Sequence, residues 1–165
     1  MISMNQILPR RRLLGWLGAS AALPVLAACG SGAKAASYPV RFTEAEWRKR
    51  LTAEQFYVLR KNGTEVPGTS PLLKEHGRGT FVCAADGLAL FASETKYDSG
   101  TGWPSFWKPL PGALATSTDW ETGFPRTEVH CTRCGGHLGH VFDDGPKPTG
   151  KRYCMNGDAM LFKPA

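Results

Sequence analysis

The sequence predicts a small, mainly antiparallel β domain with short helices at its N-terminal side. Three observations lead there. Gly 19 and Pro 12 together make about 19% of the 165 residues, against an average near 12%, which favours short strands and turns over long helices. Helix-start signals are confined to residues 43–62. From Gly79 onward, short runs of β-branched and aromatic residues alternate with Gly- and Pro-bearing turns. Hydrophobic residues at 42% and charged ones at 21% are a folded, globular composition. Five cysteines are too few for a disulfide scaffold. The net charge is +6, and losing the three leader arginines leaves +3 with both signs interspersed. That balance argues against a nucleic-acid partner.

Residues 1–28 read as an export leader. Arg10, Arg11 and Arg12 form a basic start, and the next 16 residues, 13–28, carry no charge. Sixteen is short of the about 20 that span a bilayer, so a signal peptide is expected rather than an anchor helix. Arg10-Arg11-Arg12-Leu13-Leu14 matches the twin-arginine pattern; the plainer reading is a general secretory leader. Leu26-Ala27-Ala28-Cys29 resembles a lipobox, with Cys29 as the lipidated residue. Residues 29–41 would then be a flexible tether and 42–165 the folded domain, held at the membrane on the periplasmic side by acyl chains. Cleavage near Ala33-Lys34-Ala35 would instead give a soluble periplasmic protein.

Thr43 with Glu46, and Thr52 with Gln55, are capping boxes that start two helices. Trp47 and Leu51, then Phe56 and Leu59, give each an apolar edge, and Asn62-Gly63 ends the second. Thr80-Phe81-Val82-Cys83 and Leu88-Ala89-Leu90-Phe91 flank Asp86-Gly87 and read as a hairpin. Further strands are expected at 127–130, 137–142, 151–155 and 159–162.

The chemistry concentrates in four places. Cys131-Thr132-Arg133-Cys134 can offer two thiolates to one tetrahedral Zn²⁺, with Cys83 and Asp86 as the second pair on another hairpin turn. The alternative is an empty site with Cys131 and Cys134 as a dithiol or disulfide. His137 and His140 differ by an odd number and would face opposite sides of a flat strand, unless Gly139 marks a bulge. Cys154 shares a strand face with Arg152, whose charge favours thiolate; the plain alternative is a buried structural cysteine. A Gly-rich loop at 99–107 carries Trp103 and Trp107, either a core plug or an apolar recognition wall.

Taken together, Gly102-Trp103-Pro104-Ser105-Phe106, Cys131-x-x-Cys134-Gly135 leading into His137-Leu138-Gly139-His140-Val141-Phe142, Asp144-Gly145-Pro146 and Arg152-Tyr153-Cys154-Met155-Asn156 resemble the B-type methionine-R-sulfoxide reductases in order and spacing. The resemblance runs from about Phe42 to the C-terminus. It implies a fold of two antiparallel sheets and reduction of peptide methionine-R-sulfoxide. It implies Cys154 as nucleophile, forming a sulfenic acid, and His137 and His140 as the proton-handling pair. Trp103 would be the wall for the substrate methyl, with Asp144, Arg152 and Asn156 as the polar shell. Cys83, Cys131 and Cys134 would be three of four structural zinc ligands, with Asp86 standing where the family has a fourth cysteine. Thr101 occupies the place where members without zinc often carry a resolving cysteine. Implied partners are oxidised exported proteins and a thioredoxin-like reductant, for a monomer with no organic cofactor. Two rivals remain: a non-catalytic zinc-binding module, and a thiol–disulfide oxidoreductase using Cys131 and Cys134.

Overall fold

The computed structural model describes residues 38–165. The leader, the lipobox with Cys29 and most of the tether lie outside the described residues. Among those described, no helix is long and apolar enough to cross a membrane.

Both capping boxes form. Glu46 N donates to Thr43 Oγ1 while Thr43 N donates to Glu46 Oε2, opening α1, Glu44–Arg50. The same exchange between Thr52 and Gln55 opens α2, Ala53–Lys61. Each box satisfies backbone donors that the first turn leaves without intrahelical partners. Trp47 and Leu51 are buried, as are Phe56, Val58 and Leu59 of α2. Asn62 adopts a left-handed conformation at φ 54° and ends α2.

Among the described residues nine strands follow: β1 Gly79–Cys83, β2 Ala89–Ala92, β3 Lys96–Tyr97, β4 Ser105–Phe106, β5 Leu114–Asp119, β6 Arg126–Cys131, β7 His137–Phe142, β8 Arg152–Met155 and β9 Met160–Pro164. They form two sheets, ordered β2-β1-β9 and β3-β4-β8-β7-β6-β5, with every pair antiparallel. The expected mainly β fold of two antiparallel sheets with N-terminal helices is what the chain adopts. Strands β3, β4 and β5 went unanticipated. The first two are two residues long, and β5 reads Leu-Ala-Thr-Ser-Thr-Asp, with too few apolar residues to alternate.

Aromatic rings join the sheets. Phe91 of the small sheet stacks on Phe106 of the large one at 4.2 Å and 13°, and Phe81 meets Phe106 edge-on at 4.9 Å. All three are fully buried, with Leu90, Val129, Leu138 and Met155 beside them. This core fixes β4 and β8, the strands that carry Ser105 and Cys154. Phe106→Ala should destabilise the domain by about 3–5 kcal/mol, because nothing can collapse into a ring-sized void between two hydrogen-bonded sheets. Denaturant unfolding measures this; a loss under about 1 kcal/mol would contradict the assigned core.

Candidate active site

In an antiparallel sheet, residues directly opposite one another share a face. The register of the large sheet lines up Tyr97, Ser105, Cys154, His140, Glu128 and Ser117, one from each strand. Cys154 therefore has His140 on one flank and Ser105 on the other.

His137 joins this face through a bulge. His140 pairs with Glu128 and Gly139 with Val129, but His137 pairs with His130, so β7 carries one extra residue at Leu138. The parity problem posed by the three-residue spacing is thereby removed, and the two imidazoles lie 5.4 Å apart. Asn156 holds the bulge: its backbone N and its Nδ2 both donate to Leu138 O, at 2.8 and 3.2 Å. Gly139 has φ +152°, and a Cβ there would stand 2.2 Å from Cys154 O. Only glycine lets β7 approach β8 this closely.

Each histidine has a carboxylate. His137 Nδ1 donates to Glu128 Oε1 at 2.7 Å, and His140 Nε2 donates to Asp119 Oδ2 at 2.8 Å. Ser117 Oγ also donates to Glu128, and Arg126 pairs with Asp119. The bond from His137 leads in pulling Glu128 down to about 2. Asp119 is also held down to about 2, first by the backbone N–H of Glu121 and then by His140. Burial pushes His140 below its usual value, against the opposing pull of Asp119. These bonds leave Nε2 of His137 and Nδ1 of His140 as the uncommitted ring nitrogens.

A cavity of about 110 Å³ opens on Cys154, lined also by Thr64, Trp103, Arg126, Gly139, His140, Phe142 and Asn156. Cys154 is half-buried and a free thiol. Trp103 is fixed by its Nε1, which donates to Glu65 O at 3.2 Å. Glu65 is buried and accepts from Gly157 N and Asp158 N, while its own N donates to Asn156 Oδ1. Burial pushes its carboxyl up, offset by those two backbone donors. One residue thus ties the Trp103 loop to the end of β8. On the other flank, Ser105, Ser99 and Thr101 link hydroxyl to hydroxyl at 2.8 and 2.8 Å, and Thr101 Oγ1 lies 3.7 Å from Cys154 Sγ.

Of the expected site residues, the structure gathers Cys154, His140, Trp103 and Asn156 around one cavity. His137 lines an adjoining hollow of about 200 Å³ with His140, Asp119 and Glu128. Asp144 and Arg152 lie elsewhere. They form a two-toothed ion pair, both bonds 2.8 Å, in a separate hollow that Thr101 also lines. Arg152 still interacts electrostatically with Cys154. Glu65, Asp119, Arg126 and Glu128 were not anticipated. Only Glu128 had a usable signal, because it sits two residues from His130 on an expected strand.

The second cluster is Cys83, Asp86, Cys131 and Cys134, whose ligand atoms all lie within 4.8 Å of one another. It bridges the sheets, with Cys83 ending β1 and Cys131 ending β6. Cys83 Sγ and Cys134 Sγ are 3.7 Å apart, and Cys131 Sγ is 3.4 Å from Asp86 Oδ2. A tetrahedron with metal–sulfur bonds of about 2.3 Å has edges of about 3.8 Å, so the donors fit a metal ion. Hydrogen bonds from Cys131 and Cys83 hold Cys134 down to about 2; Cys131 is pushed up to about 12 and Cys83 far above its usual value. The three sulfurs cannot all ionise without added positive charge. Cys131 and Cys134 are buried free thiols, so of the alternative dithiol or disulfide the structure has the dithiol.

The profile of the SelR domain family matches residues 51–164. The chain is 50% identical over 128 residues to "Peptide methionine sulfoxide reductase MsrB" of Leptospira interrogans, covering 77% of this chain and 98% of that protein. It is 51% identical over 126 residues to the protein of that name from Agrobacterium fabrum, covering 76% and 93%. The chain belongs to the B-type methionine sulfoxide reductase family. A chloroplastic relative from Oryza sativa, "Peptide methionine sulfoxide reductase B1", is 47% identical over 128 residues, covering 77% of this chain and 60% of that protein.

Because Asp119 and Glu128 are held low in the folded chain, they stabilise it fully above the unfolded carboxylate values of about 4. That stability is lost as pH falls from about 4 to about 2. Asp119→Asn with Glu128→Gln should flatten the pH dependence of unfolding in this window, read by acid titration of circular dichroism. An unchanged acid limb would contradict the two carboxylate–imidazole bonds.

Proposed function

We propose that the chain reduces peptide methionine-R-sulfoxide to methionine, with Cys154 as nucleophile. The observation that carries this reading is the placement of a half-buried thiol opposite an imidazole, in a cavity walled by an indole. The sulfoxide sulfur is electrophilic but holds a poor leaving oxygen. Attack therefore needs a thiolate together with a proton for that oxygen.

Cys154 attacks sulfur as its thiolate, with the Thr101 hydroxyl 3.7 Å from Sγ. Protonated His140 gives the proton from Nδ1, since Nε2 is committed to Asp119. His137, held by Glu128, supports its neighbour. The sulfoxide S–O bond breaks and a Cys154 S–O bond forms. Thiolate, proton and sulfoxide become sulfenic acid and methionine. Trp103 grips the methyl group and selects the R arrangement, Asn156 holds the cavity wall, and the Asp144–Arg152 pair shapes the opposite flank.

Cys83, Asp86, Cys131 and Cys134 would hold Zn²⁺, which supplies the charge that lets three thiols ionise and staples the two sheets. The other described cysteines all belong to this cluster, and Thr101 rather than a thiol is beside Cys154. An outside dithiol, thioredoxin-like, then returns two electrons to the sulfenic acid and releases water. The leader supports action on oxidised exported proteins in the periplasm. It also supports a domain spanning 42–165, tethered through residues 29–41 to a lipidated Cys29.

The oxidoreductase rival needs an accessible pair, yet Cys131 is 0% and Cys134 3% exposed. The non-catalytic module leaves the histidine–carboxylate pairs beside Cys154 without a role.

Cys154→Ser should abolish turnover of an R-sulfoxide peptide, and Trp103→Ala should raise KM more than it changes alkylation of Cys154. Wild-type turnover in the first, or an unchanged KM in the second, would remove the corresponding role. Purified protein should carry about one zinc per chain. Chelation should lower Tm, and Asp86→Cys, offering a softer ligand, should slow zinc loss. A metal-free protein whose Tm ignores chelator would refute the zinc assignment.

A further inference from the structure

Five large hydrophobic side chains are exposed among the described residues: Tyr57, Val66, Trp120, Phe124 and Leu161. Leu161 lies on β9 in the small sheet. Val66 and Phe124 each lie two residues from a residue that lines the Cys154 cavity, Thr64 and Arg126, and Tyr57 and Trp120 belong to the same two stretches of chain.

One segment is the end of α2 and the loop after it. Tyr57 packs on Gly63, where a Cβ would meet its ring at 2.2 Å. Thr64 lines both the Cys154 cavity and the adjoining hollow, and Val66 follows Glu65, the residue that anchors Trp103. The opposite segment is the tip between β5 and β6. Trp120 lines the adjoining hollow, and the turn is closed by Gly123 N donating to Trp120 O at 2.9 Å. Trp120 is 64% exposed and Phe124 76%. Neither fills the core, so folding gives no reason for an indole and a phenyl ring there.

The cavity is too small to hold more than the end of one side chain. About 110 Å³ falls well below the roughly 300–1,000 Å³ of a pocket that encloses a whole small ligand. The remainder of a peptide substrate must therefore lie outside, across the rims. The two hollows share Thr64, Arg126 and His140, so the surface runs without a break from Cys154 to Trp120.

We propose that the β5–β6 tip, through Trp120 and Phe124, and the facing loop, through Val66, form an apolar clamp for residues flanking the sulfoxide in an extended substrate. The occupant is an unfolded segment with aliphatic or aromatic side chains beside the oxidised methionine. Such segments are buried in folded proteins and become available when oxidation or unfolding exposes them. Rigid aromatic side chains provide contact area at little cost in conformational entropy, which suits a surface that must accept many sequences. The clamp rests on the reductase reading and adds a preference for sequence context to it.

Three substrates test this: N-acetyl-methionine-R-sulfoxide methylamide, a peptide with the sulfoxide between leucines, and one with it between serines. Wild type should show kcat/KM about tenfold higher for the leucine peptide than for the serine peptide. Trp120→Ser with Phe124→Ser should bring the leucine peptide down to the serine level, leaving the small substrate unchanged. Val66→Ser should lower the leucine peptide in the same direction from the opposite rim. Both side chains are exposed, and an unchanged Tm would establish that the double variant is folded. Equal wild-type kcat/KM for the two peptides would overturn the clamp, as would an equal loss on all three substrates. A change confined to self-association, or to binding of anionic vesicles, would assign the aromatic tip to another occupant and also overturn it. If wild type fails on the small substrate, the reductase reading itself falls, separately from the clamp.

Discussion

A single extra residue in β7 governs the geometry around Cys154. Without the bulge at Leu138, the two histidines would face opposite sides of the sheet and only one could approach the thiol. With it, both rings share the Cys154 face, each tied to its own carboxylate. Bulges disrupt the ladder and leave backbone groups to be satisfied elsewhere. Here Asn156 meets that need twice over at Leu138 O, and Gly139 lets the strands close on Cys154 O. Asn156 therefore serves the fold and the site at once: the side chain that steadies the bulge also lines the cavity.

The support spreads outward from there in two directions. Glu65 binds the backbone after β8, Asn156 and the indole of Trp103, so cavity wall and cavity floor move together. Behind the sheet, the Phe81, Phe91 and Phe106 rings press β4 and β8 into place. The cysteine cluster joins the same two sheets at the ends of β1 and β6 and lines none of the hollows beside Cys154. The molecule separates a buried sulfur cluster that joins its sheets from one half-buried sulfur that faces a cavity.

Local signals in the chain were legible. Capping boxes at Thr43 and Thr52 were readable because capping is decided within four residues. The hairpin across Asp86-Gly87 and the strand at His137–Phe142 were readable from turn chemistry and pattern. The grouping of Cys154, His140 and Trp103 could be named from motifs that resemble a known family. What stayed hidden is set by register across distant strands. Asp119 meets His140 through an irregular polar strand, and Glu65 reaches Gly157 across 92 positions of sequence. Asp144 and Arg152, adjacent to the motif in sequence, turn toward each other in a neighbouring hollow instead of into the Trp103 cavity. Proximity in sequence placed them near the sulfur; side-chain pairing decided which way they faced.

The central claim is that one sulfur, and no other, takes the oxygen. A single turnover with separated R- and S-sulfoxide peptides, followed by mass spectrometry of every cysteine-bearing fragment, tests it most directly. The account predicts that the R peptide is consumed, the S peptide is left intact, and the Cys154 fragment alone becomes one oxygen heavier. Oxygen or a disulfide on the Cys83, Cys131 or Cys134 fragments with Cys154 unmodified would contradict it, as would equal consumption of the two epimers.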